Sequence, residues 1–152
     1  MSLLQHIMPN GASGFGYGST AEEVTAGLSL AGKTILLTGC NSGLGLETLR
    51  VLSLRGARVV GTARTFDKAR AACADAGGAT VPLACELSEP ASVRACVAAV
   101  IQQWIKFDAI ICNAGIMALP RLEKGHGFEM QFFTNHIGHF ILVTGQIGRA
   151  HV

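Results

Sequence analysis

The run Thr34-Ile35-Leu36-Leu37-Thr38 passes without a spacer into Gly39-Cys40-Asn41-Ser42-Gly43-Leu44-Gly45, and few folds accommodate that junction. An unbroken apolar run this short reads as a strand buried on both faces, which calls for a parallel sheet covered by helices. Residues 44–54 then repeat apolar side chains at helical spacing and stop at Arg55-Gly56, a basic last turn followed by a glycine cap. In such a strand–turn–helix unit Gly39 turns the chain sharply. Gly43 carries no side chain to keep an anion from the backbone amides, and Gly45 lets the helix pack close to the sheet. The helix N-terminus, with its free N–H groups, then faces a phosphate or pyrophosphate.

The same alternation continues along the chain. Residues 57–63 read as a second buried strand and 67–76 as a second helix, closed by Gly77-Gly78. Residues 80–84 are a third strand. A third helix is expected over 88–104, capped by Ser88 with Glu89 and Pro90 in its first turn. Residues 109–113 are a fourth strand and 128–143 a fourth helix. Strands alternating with helices predict an α/β fold of the Rossmann type: a doubly wound parallel sheet with right-handed crossovers and strand order 3-2-1-4 for this half. Residues 1–29 read as a glycine-rich N-terminal arm in which Ser19 and Thr20 stand at capping-box distance from Glu22 and Glu23. Residues 30–145 form the nucleotide-binding half-domain, and 146–152 a tail that breaks the helical pattern.

Composition narrows the function classes. With 49% hydrophobic and 14% charged residues the chain has ample material for a core, and its 19 glycines lack the period a fibre needs. The 12 basic residues are scattered and the net charge is +2, which argues against nucleic acid as a partner and for a small molecule. Five single cysteines, without a CxxC pair, point to reduced core residues rather than a zinc site. No stretch reaches the roughly 18 uncharged apolar residues of a membrane span. A cytoplasmic location is expected, or a plastid in an organism that has one.

Three nucleotide-binding rivals fit less well. A P-loop would need Gly-Lys-Ser/Thr, and GxGxxG is not matched because three residues separate the first two glycines. A methyltransferase usually carries an acid at the end of the second strand, whereas here that strand ends Gly61-Thr62-Ala63-Arg64. The longer TGxxxGxG spacing resembles the short-chain dehydrogenase/reductase family. On that resemblance, Gly39, Asn41, Ser42, Gly43, Leu44 and Gly45 hold the cofactor pyrophosphate. Ala63 stands near the position of the acid in NAD-selective members, and Arg64 is placed to pair with the 2′-phosphate of NADP(H). Glu86-Leu87 stands where the family usually has Asp-Leu or Asp-Val against the adenine. Asn113-Ala114-Gly115 matches the Asn-Ala-Gly that braces the sheet and lines the cofactor ribose.

Asn135 matches the helix asparagine of the family's catalytic Asn-Ser-Tyr-Lys set, where it helps hold a water in a proton relay. His136 and His139 lack further metal ligands and read as packing or surface residues. Asn135-His136-Ile137-Gly138-His139-Phe140, with Ile116-Met117 after Asn-Ala-Gly, resembles the retinol-dehydrogenase-like branch. The arm resembles the start of chloroplast import-associated reductases of that branch.

The resemblance implies NADP(H)-dependent interconversion of a carbonyl and an alcohol on a small substrate. It covers the family's N-terminal half only. The one tyrosine, Tyr17, lies in the arm, and no Tyr-x-x-x-Lys occurs in these residues, so the chain by itself is expected to be inactive. The alternative is a non-catalytic NADP(H)-binding or interaction module. Ile147-Gly148-Arg149-Ala150-His151-Val152 is what ATC GGA AGA GCA CAC GTC encodes, a common sequencing-adapter string, and so a non-native tail is expected over 146–152.

Overall fold

The computed structural model describes residues 11–146. The expectation for the tail, apart from Gln146, lies outside the described residues. In chain order the elements are α1 (Ala21–Val24), β1 (Thr34–Thr38), α2 (Gly43–Leu54), β2 (Arg58–Ala63), α3 (Phe66–Ala76), β3 (Thr80–Ala84), α4 (Pro90–Gln102) and β4 (Ala109–Ile111). A two-residue hairpin of β5 (Lys124–Gly125) and β6 (Phe128–Glu129) follows. One helical rod closes the described chain, made of α5 (Met130–Phe132), a π turn (Phe133–Ile137) and α6 (Gly138–Gln146).

The four main strands form one parallel sheet in the order β3-β2-β1-β4, as the sequence predicts. β1 pairs with β2 from Thr34 opposite Arg58 to Thr38 opposite Thr62, and with β4 from Ile35 opposite Ala109 to Leu37 opposite Ile111. Central strands lose water on both faces, so β1 and β2 are almost wholly buried. Their side chains alternate between two cores. One holds Ile35, Leu37, Leu49, Val59 and Ala69 beneath α2 and α3. The other holds Leu36, Val60, Val93, Val100 and Leu142 beneath α4 and α6. Four of the five cysteines, Cys40, Cys73, Cys85 and Cys96, are buried, and all five are free thiols.

Local chemistry sets the element ends. Thr65 caps α3 by accepting from Lys68 N at 3.4 Å, and Gly77 ends that helix at φ 66°. In the arm, Thr20 and Glu23 complete a reciprocal capping box. Arg55 reaches back to Thr25 Oγ1 at 2.9 Å and Arg50 pairs with Glu22 at 3.0 Å, so α2 holds α1. Asp108 ties the entrance of β4 to that of β1, accepting from Lys33 Nζ and from Thr34 N, each at 2.8 Å. These bonds, Lys33 first, hold its carboxyl below the usual carboxylate range. Their stabilisation is present above the ordinary aspartate pKa and is lost as pH falls through the lowered one.

Two helix starts, at Gly43 and Phe66, fall one residue before the expected position, and the other two differ by two residues. Ser88 does not cap α4: its hydroxyl and amide both donate to Glu86 Oε1, at 3.0 and 3.2 Å, and Glu89 is the N-cap, with no side-chain cap bond. The third helix therefore begins at Pro90, where a ring without an N–H is tolerated. The last helix begins at Met130 rather than 128, because Phe128 and Glu129 pair with Lys124 and Gly125 in the hairpin. Glu129 then caps the helix, accepting from Gln131 N and Phe132 N at 2.9 and 2.7 Å.

Where α6 crosses the loop after β3, the two backbones are in contact. A Cβ on Gly138 would lie 2.3 Å from Leu87 O, a distance no relaxed side chain tolerates. Glycine to alanine inside an exposed helix would normally add about 1 kcal/mol. Here overpacking against backbone decides the sign, and Gly138→Ala is expected to lower unfolding stability by roughly 2–3 kcal/mol. Urea titration of both proteins checks this; an unchanged or raised midpoint would refute the close packing.

Candidate functional site

The carboxyl ends of β1, β2, β3 and β4 lie along one edge of the sheet, which is where open α/β sheets bind ligands. The residues singled out from the sequence gather on that edge. Gly39 leaves β1 at φ 68° and Gly43 opens α2 at φ 53°, two left-handed positions that suit glycine. A Cβ on Gly43 would meet nothing within 4 Å, so the space before the helix is open. Ser42, the N-cap of α2, makes no side-chain cap bond. The first backbone N–H groups of a twelve-residue helix thus face that space without a capping side chain. Asn41 is half-buried, and Ser42 and Leu44 are exposed beside them.

Gly45 does different work. A Cβ there would fall 2.0 Å from Gly39 O and 2.5 Å from Asn113 Nδ2, so α2, the turn and the end of β4 are packed backbone to backbone. Asn113 Nδ2 donates to Thr38 O at 2.9 Å and lies 3.4 Å from Gly39 O. Thr38 Oγ1 in turn accepts from Asn113 N and Ala114 N, each at 3.0 Å. The Asn-Ala-Gly segment therefore braces the glycine turn directly. Cys40, within that turn, is fully buried, and the neighbouring Cys73 thiol together with burial pushes its own thiol up, which keeps it protonated.

Arg64 lies just beyond β2, exposed, with no ion pair among the described residues. Glu86 is half-buried and directs Oε1 at Ser88. Leu87 is in the core, so its side chain serves packing, and its carbonyl lies against Gly138, which leaves no more than its N–H for a ligand.

Asn135 stands in the π turn. Its side chain makes a two-way bond with Ile116, accepting from the amide and donating to the carbonyl, both at 2.8 Å. The loop after β4 is thereby attached to the last helix, and Gly115 lies under the same amide group: a Cβ there would be 3.2 Å from Asn135 Oδ1. Sequence reasoning treated the two histidines alike, but they differ. His136 is exposed and stacks on Phe132 at 5.3 Å. His139 is buried, with Nε2 2.9 Å from Thr38 Oγ1 and Nδ1 2.9 Å from Asn135 O. The π turn and the Thr38 hub were not among the sequence-derived site residues. No spacing in the sequence marked that hub, because Thr38 and His139 are 101 residues apart.

An open cleft of about 570 Å³ adjoins Asn135, walled by Ala114, Gly115, His139, Phe140 and Val143, with Cys112 at its edge. Among the described residues no group of three His, Cys, Asp or Glu is placed to hold a metal ion, and no helix is long and apolar enough to cross a membrane.

A parallel sheet in this order, with a glycine turn braced by Asn-Ala-Gly at its carboxyl edge, defines a dinucleotide-fold protein. The chain belongs to the short-chain dehydrogenase/reductase family: the family model for short chain dehydrogenase matches residues 33–147. Its relatives place it in the retinol-dehydrogenase-like branch. Human Retinol dehydrogenase 13 is 33% identical over 155 residues, covering 93% of this chain and 47% of the relative. Short-chain dehydrogenase TIC 32 B, chloroplastic, from Brassica napus is 37% identical over 148 residues, covering 88% and 43%. The crystal structure of 3-ketoacyl-(acyl-carrier-protein) reductase from Brucella melitensis complexed with NADH superposes with a TM-score of 0.67 at 30% identity, over 80% of this chain and 51% of that one. The chain spans about half the length of the curated relatives it matches.

The cysteine environments give a direct check. Cys112 is the exposed cysteine, and partial burial raises its thiol pKa. A maleimide reagent is expected to label one thiol of the native protein, with a rate that climbs with pH, and five in urea. Rapid labelling of two or more native thiols would contradict the packing of the sheet.

Proposed function

We propose that these residues are the cofactor-binding half of an NADP(H)-dependent oxidoreductase that interconverts a carbonyl and an alcohol on a small substrate. The open, uncapped N-terminus of α2 in front of Gly43 carries the reading, because oriented N–H groups and a helix dipole favour an anion there. Gly39, Asn41, Ser42, Gly43, Leu44 and Gly45 would hold the pyrophosphate. Ala114 and Gly115 would line the ribose side, with Asn113 bracing the turn behind them. Glu86 keeps one carboxylate oxygen for the adenine while Ser88 engages the other, and Leu87 offers no more than its N–H.

Arg64 supports NADP(H) over NAD(H). It is exposed, unpaired among the described residues and sited after β2, and no carboxylate occupies Ala63. A guanidinium there matches a phosphate on the adenosine ribose and gives an unphosphorylated ribose less. Bound, the nicotinamide supplies or accepts the hydride. The chain's own part is to orient that ring at the strand ends and to present Asn135 beside it. A proton donor of the Tyr-x-x-x-Lys type is absent from these 152 residues, so they are proposed to bind cofactor without turnover by themselves. The free thiols suit a reducing compartment, the cytoplasm or a plastid.

Fluorescence titration with NADPH and NADH is the test. NADPH is expected to bind more tightly, and Arg64→Ala to weaken NADPH by about ten- to a hundredfold, the worth of a charge-assisted contact, while changing NADH by about twofold or less. Equal losses for both dinucleotides would remove Arg64 from the phosphate site, and aldehyde reduction by these residues alone would refute the account of the missing proton donor.

A further inference from the structure

His139 is a buried imidazole whose two nitrogens both have partners, and those partners determine where its proton sits. On one side stands Asn135 O, a carbonyl that accepts and cannot donate, so a bond at 2.9 Å requires a proton on Nδ1. On the other side stands Thr38 Oγ1, with one proton and two lone pairs. Asn113 N and Ala114 N, each at 3.0 Å, occupy the lone pairs. The hydroxyl proton has two acceptors within reach, Ile111 O at 3.5 Å and His139 Nε2 at 2.9 Å, and the shorter contact wins. Nε2 is therefore an acceptor and carries no proton. Two independent partners thus dictate the same tautomer.

We infer that His139 is a positioning residue: protonated on Nδ1 alone, its ring bridges Thr38 to the backbone carbonyl of Asn135 and so fixes the π turn, and Asn135 with it, against the loop after β4. A π turn displaces the regular ladder of backbone bonds, and a side-chain tie at this point holds the backbone in the widened form. Within the same turn Thr134 Oγ1 is buried without a partner, so the turn is not held through that hydroxyl. Asn135 then presents its amide to Ile116 in both directions. Thr38 also touches the segment that braces the glycine turn, so one hydroxyl ties both halves of the site together.

The catalytic meaning of this tie rests on the reading of Asn135 proposed above, whereas the tie itself is measurable without cofactor. Long-range ¹H–¹⁵N NMR of the uniformly labelled protein at neutral pH is expected to show His139 as the Nδ1–H tautomer. An Nε2–H tautomer, or averaging between the two, would overturn the inference. Two variants separate the ends of the bridge. The amide of His139→Asn can stand in for Nδ1 and keep the bond to Asn135 O, while that of His139→Gln reaches towards Thr38 and leaves Asn135 O without its donor. His139→Gln is expected to speed hydrogen exchange at the Ile116 amide by about tenfold, the worth of one lost hydrogen bond, with His139→Asn close to the parent protein. Equal exchange in the two variants would reduce His139 to packing. Should either variant fail to fold, the tautomer of the parent protein decides. If NADPH fails to bind while tautomer and exchange behave as stated, the cofactor reading falls and the positioning role stands.

Discussion

The hydroxyl of Thr38 is the point on which the site depends. It lies at the last residue of a buried central strand, 1% exposed, and every one of its hydrogen-bonding capacities is in use. Through it the end of β1 is fastened to the segment after β4 and to the last helix. Because the surroundings exclude water, each bond is worth more than at the surface, and loss of any one leaves an expensive unpaired group. The glycines serve the same end. Gly39 and Gly45 let three backbone segments approach so closely that Asn113 reaches two carbonyls of the turn from the neighbouring strand.

Much of this was legible in the sequence because it rests on local rules. β1 and β3 fall at the predicted residues, and α2 within one residue, since an apolar run bounded by glycine or a capping side chain leaves little freedom. The parallel sheet followed from alternation and handedness, and its order from the dinucleotide-fold pattern to which the glycine turn points. What was not legible arose from competition between partners. Ser88 has a capping residue's chemistry, yet Glu86 takes both its donors, and no local pattern tells which of two neighbours a hydroxyl will choose. The hairpin before the last helix is two residues long on each side, too short to show a period.

The site divided along the same line. Gly39 to Gly45, Asn113 and Asn135 could be picked out as candidates because their spacing along the chain carries the pattern. His139 could not be told from His136 by type or by spacing to a metal ligand, and the sheet alone distinguishes them: one ring enters the core and meets Thr38, the other lies on Phe132 at the surface. The partner is a hundred residues away, a relation that exists only after folding.

The π turn also acts as a phase shifter. Regular helix advances about 100° per residue, so one extra residue in a turn rotates everything beyond it by that angle about the rod. Before the turn, Met130 and Gln131 are keyed to the hairpin and the loop, with Gln131 holding Ala118 N at 2.9 Å. After it, Leu142 and Ile141 are keyed to the core beneath α4. A straight rod in register with one of these surfaces would be out of register with the other. The widened turn reconciles two docking angles within one helix, and the residue it places at the join is Asn135.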